Sequence, residues 1–195
     1  MIKKEKNKNQ IESKADIKSL LNLCKKGNEL AYMQVYKLYF KAMYSISYRL
    51  LNDKTEAEDI MQESFLTAFQ KLYSFEGKVE FGAWLKRIVI NKSIDQIRKR
   101  NRNPVFTDNI IENYANEPLE DTGELDAFNF TLEQVTKLKK AIKCLPDGYR
   151  IILSLYLIEG YDHREISKIL GISNSSSRSQ YTRAKKKLVE ILKNR

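Results

Sequence analysis

Near the end of the chain, a glycine turn separates two segments with polar residues at helical spacing. The first segment opens with Asp162 and Glu165, three residues apart as in a helix capping box, and stops at Gly171. After the turn through Ser173, the second segment carries hydroxyl, amide and cationic side chains. Such groups hydrogen-bond to phosphates and to base edges. The spacing therefore predicts a helix-turn-helix whose second helix can enter a major groove.

The second helix offers a run of candidate DNA contacts. Its serines can cap the helix and bond to phosphates, whereas its arginine and glutamine side chains can reach base edges. These candidates are Ser175, Ser176, Arg178, Gln180, Arg183, Lys185 and Lys186. Ser177 stands where such motifs usually place an apolar residue. Either its hydroxyl bonds back to its own helix, or the second helix packs less firmly on the first.

Earlier in the chain, aromatic residues lead into a strongly basic segment. Phe75, Phe81 and Trp84 precede or enter it. Exposed bases stack on aromatic rings while their phosphates meet cations, so this combination suits unpaired DNA. The segment's basic residues include Lys86, Arg87, Arg98 and Lys99. Alternatively, Phe81 and Trp84 belong to the hydrophobic core, and the sequence leaves both interpretations open.

Acidic residues cluster only at Glu56–Glu63. Asp59 and Glu63, four residues apart, share a helix face, but the single histidine of the chain, His163, lies far along the sequence. We therefore interpret the cluster as a protein-binding surface, and we expect no catalytic residue, no metal and no cofactor. With two cysteines and no C-x-x-C pattern, a disulfide framework and a cysteine zinc site are excluded.

The net charge of 35 − 25 = +10 points to a polyanionic partner, and it is unevenly distributed. Residues 81–102 carry 7 − 1 = +6 and residues 164–195 carry 9 − 2 = +7, whereas residues 103–136 carry −8 with no Lys or Arg. Because no signal peptide or long apolar run is present, we expect a cytoplasmic protein without membrane insertion.

Apolar residues recur at steps of three and four over 29–51, 56–73 and 82–100, which predicts an all-α fold. Capping patterns at Thr55-x-x-Glu58 and Thr131-x-x-Gln134 predict further helix starts. We expect two small helical domains joined by a flexible acidic linker. The predicted divisions are a disordered basic tail at 1–16, a first domain at 17–102, a linker at 103–129, and a second domain containing the helix-turn-helix at 130–195.

Taken together, four segments resemble the RNA polymerase sigma factors of the extracytoplasmic-function (ECF) subfamily. Residues 57–69 (AEDIMQESFLTAF) are similar to the family's polymerase-binding helix, and residues 84–100 (WLKRIVINKSIDQIRKR) to its −10 promoter helix. Residues 145–173 and 178–188 are similar to its −35-binding domain. The segments occur in the family's order, with the linker in the family's place.

The resemblance implies roles for individual residues. Asp59, Gln62, Glu63 and Leu66 would dock on core RNA polymerase. Asn91 and Asp95 would join the aromatic and basic residues named above, Phe75 and Lys99 among them, at the −10 DNA. Ser179 would join the −35 contacts of the second helix. The acidic linker would run through the polymerase channel.

The function implied by the resemblance is promoter recognition, −10 melting and transcription initiation, without enzymatic activity of the chain itself. The implied partners are core RNA polymerase, through its largest and second-largest subunits, promoter DNA and an anti-sigma factor. The alternative is a helix-turn-helix transcriptional regulator that acts without core polymerase. That alternative accounts for residues 130–195 but gives no reason for the basic helix at 84–102.

Overall fold

The computed structural model describes residues 17–100 and 132–193, and every regular element within those ranges is helical. The all-α expectation is therefore confirmed for the described part of the chain. The predicted basic tail, the acidic linker and the predicted cap at Thr131 lie outside the described residues.

Four helices form the N-terminal part. Helix α1 covers residues 17–25, α2 covers Glu29–Leu51, α3 covers Lys54–Gln70 and α4 covers Phe81–Arg100. A single 3-10 turn, Leu72–Ser74, follows α3. The predicted helical segments 29–51, 56–73 and 82–100 correspond closely to α2, to α3 with its 3-10 turn, and to α4.

The structure corrects two local predictions in this part. The residue that caps α3 is Asp53, whose Oδ1 accepts a hydrogen bond from the Glu56 backbone N–H at 2.9 Å, so the predicted cap Thr55 lies inside the helix. In α2, the apolar stripe was expected to include Leu38. That side chain is 63% exposed, and Met43 is buried instead. The buried stripe of α2 thus runs through Ala31, Val35, Met43, Ile46 and Leu50.

The C-terminal part begins with α5 (Leu132–Lys143) and α6 (Asp147–Leu153). Helix α6 continues into a π-helical segment, Ser154–Ile158, where the Glu159 N–H reaches the Ser154 carbonyl five residues back at 3.0 Å. Helices α7 (His163–Leu170) and α8 (Asn174–Lys193) complete the chain, and α8 packs against α5, α6 and α7. The helix-turn-helix therefore rests on a small helical support.

The chain divides into two compact units. One contains the residues up to Tyr48 together with Asp53–Lys92, and the other contains Arg49–Asn52 and the residues from Ser93 onward. Among the helices of the two described ranges, none combines the length and the apolar content needed to cross a membrane.

Candidate functional site

Helix α7 begins and ends as the sequence predicts. The Asp162 carboxylate accepts a hydrogen bond from the Glu165 N–H at 2.8 Å, and the Glu165 carboxylate accepts one from the Asp162 N–H at 3.0 Å. The hydrogen bond from the Glu165 amide lowers the pKa of the Asp162 carboxyl below its usual value. At the other end, Gly171 adopts a left-handed conformation with φ 66°, which glycine reaches without a Cβ penalty. The capping box and the glycine stop are both confirmed.

The start of α8 is capped by Ser173, whose Oγ accepts a hydrogen bond from the Ser176 N–H at 3.0 Å. On α7, the apolar residues expected to face inward are buried: Ile166, Ile169 and Leu170. The two helices and the glycine turn thus form the predicted helix-turn-helix, with α8 as its second helix.

The candidate DNA contacts of α8 separate into two faces. Ser175, Arg178 and Lys186 are exposed, and Ser179 and Arg183 are half-buried. The Arg178 guanidinium is held near the helix start by a 3.1 Å hydrogen bond from its Nε to Asn174 Oδ1. These five residues present hydroxyl and cationic groups of the kind that contact duplex DNA.

The other three candidates of α8 face inward. Ser176 is 1% exposed, Gln180 is 3% exposed and Lys185 is 9% exposed. Within the described residues, Gln180 Nε2 has no hydrogen-bond partner. The Lys185 ammonium lies 5.5 Å from the centre of the Tyr181 ring, a cation–π contact. These side chains belong to the packed face of α8, together with Ser177, Tyr181, Ala184 and Leu188.

Ser177 does not bond back to its own helix. Its side chain is fully buried, and its Oγ lies 2.9 Å from Nδ1 of His163, the first residue of α7. The His163 ring is stacked on Tyr156, with centroids 4.8 Å apart, and lies edge-on to Tyr181 at 5.4 Å. His163 is a residue that the sequence analysis did not place in any site, because only the fold brings it to Ser177.

In the N-terminal part, the candidate polymerase contacts share one face of α3. Asp59, Gln62, Glu63 and Leu66 follow each other at steps of three, one and three residues, and all four are exposed. Leu66 is 63% exposed, a large value for an apolar residue. The opposite face is buried through Ala57, Ile60, Met61, Ser64, Phe65 and Ala68. The structure therefore brings the four candidates together as an acidic surface with an apolar residue at one end.

The three aromatic candidates form one cluster. The Phe75 ring lies 5.1 Å from Trp84 and 5.7 Å from Phe81, and Phe81 lies 5.5 Å from Tyr39. Phe81 is only 3% exposed, whereas Phe75 and Trp84 are half-buried. Phe81 is thus a core residue that supports the other two rings. Burial raises the pKa of the neighbouring Tyr39 hydroxyl, and the charge of Glu80 raises it further.

Helix α4 places most of its candidates on one side. Trp84, Arg87, Asn91, Asp95 and Arg98 are spaced by three or four residues and therefore share a face. All but Trp84 are exposed, and Arg98 Nη1 lies 3.3 Å from Asp95 Oδ1.

The other two candidates of α4 lie off this face. Lys99 is exposed and borders it. Lys86 is half-buried and lies two residues beyond Trp84, on the other side of the helix.

A single ion pair connects the acidic face of α3 to α4. The Lys92 ammonium lies 3.2 Å from Glu63 Oε2, and the two side chains are 30% and 59% exposed. Such a partly exposed pair contributes about 0–1 kcal/mol to stability. Its significance is positional, because Lys92 follows Asn91 directly on the helix that carries the −10 candidates.

Searching the described ranges for potential metal ligands finds no group of three or more His, Cys, Asp and Glu residues that could hold an ion. In those ranges the acidic residues of α3 are thus a charged surface without a metal-binding arrangement.

Two family models match the two helical parts. The model of sigma-70 region 2 matches residues 35–103, and that of sigma-70 region 4 matches residues 136–188. The first match contains α3, α4 and the aromatic cluster, and the second contains the helix-turn-helix. Together they define a two-part sigma factor of the sigma-70 class.

Curated relatives narrow this class. The chain is 30% identical over 182 residues to the ECF RNA polymerase sigma factor SigW of Bacillus subtilis, covering 91% of this chain and 97% of that protein. It is 29% identical over 156 residues to SigM of the same organism, covering 80% of this chain and 91% of that protein. The chain belongs to the ECF RNA polymerase sigma factors.

Solved structures show the same fold. A sigma factor RpoE in complex with the anti-sigma factor NepR, from Bartonella quintana, is 26% identical with a TM-score of 0.54, and the match covers 83% of this chain and 96% of that one. CnrH in complex with the cytosolic domain of CnrY gives a TM-score of 0.52 at 23% identity, covering 90% and 96% of the two chains. The fold predicted from the sequence is confirmed.

Proposed function

We propose that the chain binds core RNA polymerase, directs it to promoters and opens the −10 element for initiation. The observation that carries this proposal is the exposed face of α3, with Asp59, Gln62, Glu63 and Leu66, next to the helix α4 in the region 2 match. A regulator that acts on duplex DNA alone has no use for an acidic docking face beside a basic DNA-contacting helix. This combination favours a sigma factor over the helix-turn-helix regulator.

Promoter binding at −35 is assigned to the exposed side of α8. Ser175, Arg178, Ser179, Arg183 and Lys186 are the contacts that the burial pattern supports. Ser176, Gln180 and Lys185, which were candidates on their residue types, instead hold α8 against its neighbours. The second helix enters the major groove of the duplex and reads base edges there.

At −10, the half-buried rings of Phe75 and Trp84 and the exposed side of α4 receive the unpaired strand. Unstacking a base costs a few kcal/mol, and stacking on a protein ring recovers about 1–3 kcal/mol per base. Arg87 and Arg98, on the same side of α4 as Trp84, supply charge for the phosphates. Melting is thus driven by binding energy, without covalent chemistry.

The remaining assignments follow from this role. Polymerase performs the catalysis, so the chain acts as an initiation factor and not as an enzyme, and it works in the cytoplasm. The domain division is 17–102 and 130–195, with the acidic segment 103–129 as the connection. An anti-sigma factor is a candidate regulator, since the similar RpoE was solved with one.

In vitro transcription tests the proposal. Genomic fragments are transcribed with core polymerase in the presence and absence of the chain, and start sites are mapped. We expect transcripts from defined start sites that require the chain. A footprint on duplex DNA without polymerase, together with no chain-dependent transcript, would instead establish the regulator.

A charge-reversed variant, Asp59→Lys with Glu63→Lys, serves to test the α3 face. Because both side chains are exposed, we expect the helix to be retained while binding to core polymerase in a pull-down falls at least tenfold, about 1.4 kcal/mol. Glu58→Lys with Glu76→Lys is the matched control, since both acids are exposed and neither belongs to this face. Equal binding by the two double variants contradicts the assignment of the face.

A further inference from the structure

The polar residue Ser177 occupies a core position between the two helices of the helix-turn-helix. Its side chain is 0% exposed, so its hydroxyl has no access to water. Leaving a buried hydroxyl without a partner is costly, and His163 Nδ1 at 2.9 Å supplies that partner. The bond joins the first residue of α7 to the first turn of α8, at the end of α8 that begins right after the turn.

The imidazole ring of His163 is itself held in place. It stacks on Tyr156 with an angle of 24° between the ring planes, and Tyr181 meets it edge-on. Tyr156 and Tyr181 also contact each other, with centroids 4.5 Å apart. Because Asp162, the residue before His163, is fixed by the capping box, the backbone that carries the imidazole is constrained as well.

We propose that His163 is a positioning residue for promoter recognition, acting through Ser177. This inference rests on the proposed function, since it concerns the same DNA-reading helix. Arg178, the exposed candidate for base contact, directly follows Ser177. A rotation of α8 about its axis would carry the guanidinium away from the groove, and the His163–Ser177 bond opposes that rotation. The pair takes the place of the apolar contact expected at position 177.

Three variants separate this role from simple packing. His163→Phe keeps an aromatic ring between the tyrosines but removes Nδ1, so the Ser177 hydroxyl is buried without this partner. Ser177→Ala removes the hydroxyl and leaves the imidazole. The double variant removes both polar groups, and replacing both partners of a buried hydrogen bond by apolar groups costs little. The expected pattern is therefore damage by His163→Phe and recovery in the double variant.

Two measurements on the full chain report this pattern. The first is amide hydrogen exchange in α8, where we expect His163→Phe to exchange about tenfold faster than wild type in the first two turns, with recovery in the double variant. The second is transcription by the holoenzyme from a mapped promoter, expressed as the ratio of activity with an intact −35 element to activity with a scrambled one. We expect this ratio to fall in His163→Phe and to recover in the double variant.

The outcomes distinguish the two levels of the argument. If the wild-type holoenzyme gives no promoter-specific transcript, the proposed function fails, and hydrogen exchange still decides whether the bond holds α8. If the double variant is no better than His163→Phe by exchange, the positioning role is wrong. The role is equally wrong if exchange changes as expected while the −35 ratio stays constant, because the bond then only stabilises the fold. Should His163→Phe fail to fold, the comparison of Ser177→Ala with wild type gives the same decision.

Discussion

At the scale of single residues, α8 shows that side-chain type does not decide which polar groups reach DNA. Ser175 is exposed, whereas its neighbours Ser176 and Ser177 are buried. The apolar residues Tyr181, Ala184 and Leu188 mark the packed face only from the middle of the helix onward. Upstream of Tyr181 that face continues through serines and a glutamine, so its hydrophobic signal is missing from the sequence. The sequence could therefore predict the helix and its cations, but not which of its polar residues are buried.

Arg178→Ala tests the exposed side of α8. We expect weaker −35-dependent transcription, and a slope of log affinity against log salt that is smaller by about one, because one phosphate or base contact is lost. Lys187→Ala is the matched control. Lys187 is nine residues away, on the opposite side of the helix, and pairs with Glu190 at 2.9 Å. A loss in Lys187→Ala equal to that in Arg178→Ala would contradict the assignment of faces.

At the scale of helices, the limits of most elements follow from local signals, and the errors have physical causes. Asp53 and Thr55 are both competent caps, and only the chain's path out of α2 selects Asp53 for α3. In α2, the period of 3.6 residues lets the buried stripe pass through Met43 instead of Leu38 and Ala42. Periodicity locates a helix better than it locates the side that packs.

The cap of α7 has an expected pH dependence. Because the pKa of Asp162 is lowered in the folded chain, its contribution to stability is present above the ordinary carboxyl value, near 4, and is lost as the pH falls through the folded pKa. We expect Asp162→Asn, which keeps an acceptor oxygen but no charge, to have a lower Tm than wild type at neutral pH.

Thermal unfolding followed by circular dichroism from pH 7 to pH 3 measures this dependence. The difference in Tm between wild type and Asp162→Asn should narrow below about pH 4. A difference that stays constant over the range would show that charge plays no part in the cap. Asp162→Ala, which removes the acceptor as well, should have a lower Tm than Asp162→Asn throughout.

At the scale of the whole chain, the positive charge is divided by function. The +6 of residues 81–102 and the +7 of residues 164–195 coincide with the two helices proposed to contact DNA, and the −8 of residues 103–136 lies between them. An acidic segment is repelled by DNA and attracted to the basic surfaces that bind nucleic acid. It therefore suits a connection that lies in a polymerase channel without competing for the promoter.

Neutralising the linker tests this role. We expect replacement of Asp108, Glu112, Glu117, Glu120 and Asp121 by their amides to reduce initiation by the holoenzyme, with binding to core polymerase less affected. Abortive and full-length transcripts from a mapped promoter are the measurement. A variant with residues 103–129 shuffled, so that charge is kept and order is lost, is the control. Initiation that is unchanged by neutralisation would make the linker a spacer only.

The inward-facing polar residues of α8 set a limit on how this protein could be redirected to new promoters. A library that randomises the whole helix would mostly produce misfolded chains, because Ser176, Ser177 and Gln180 are packed against the rest of the unit. Variation restricted to Ser175, Arg178, Ser179 and Arg183 would change the reading surface while keeping its foundation. An orthogonal transcription switch built from this chain should therefore be selected from four positions, with His163 left untouched.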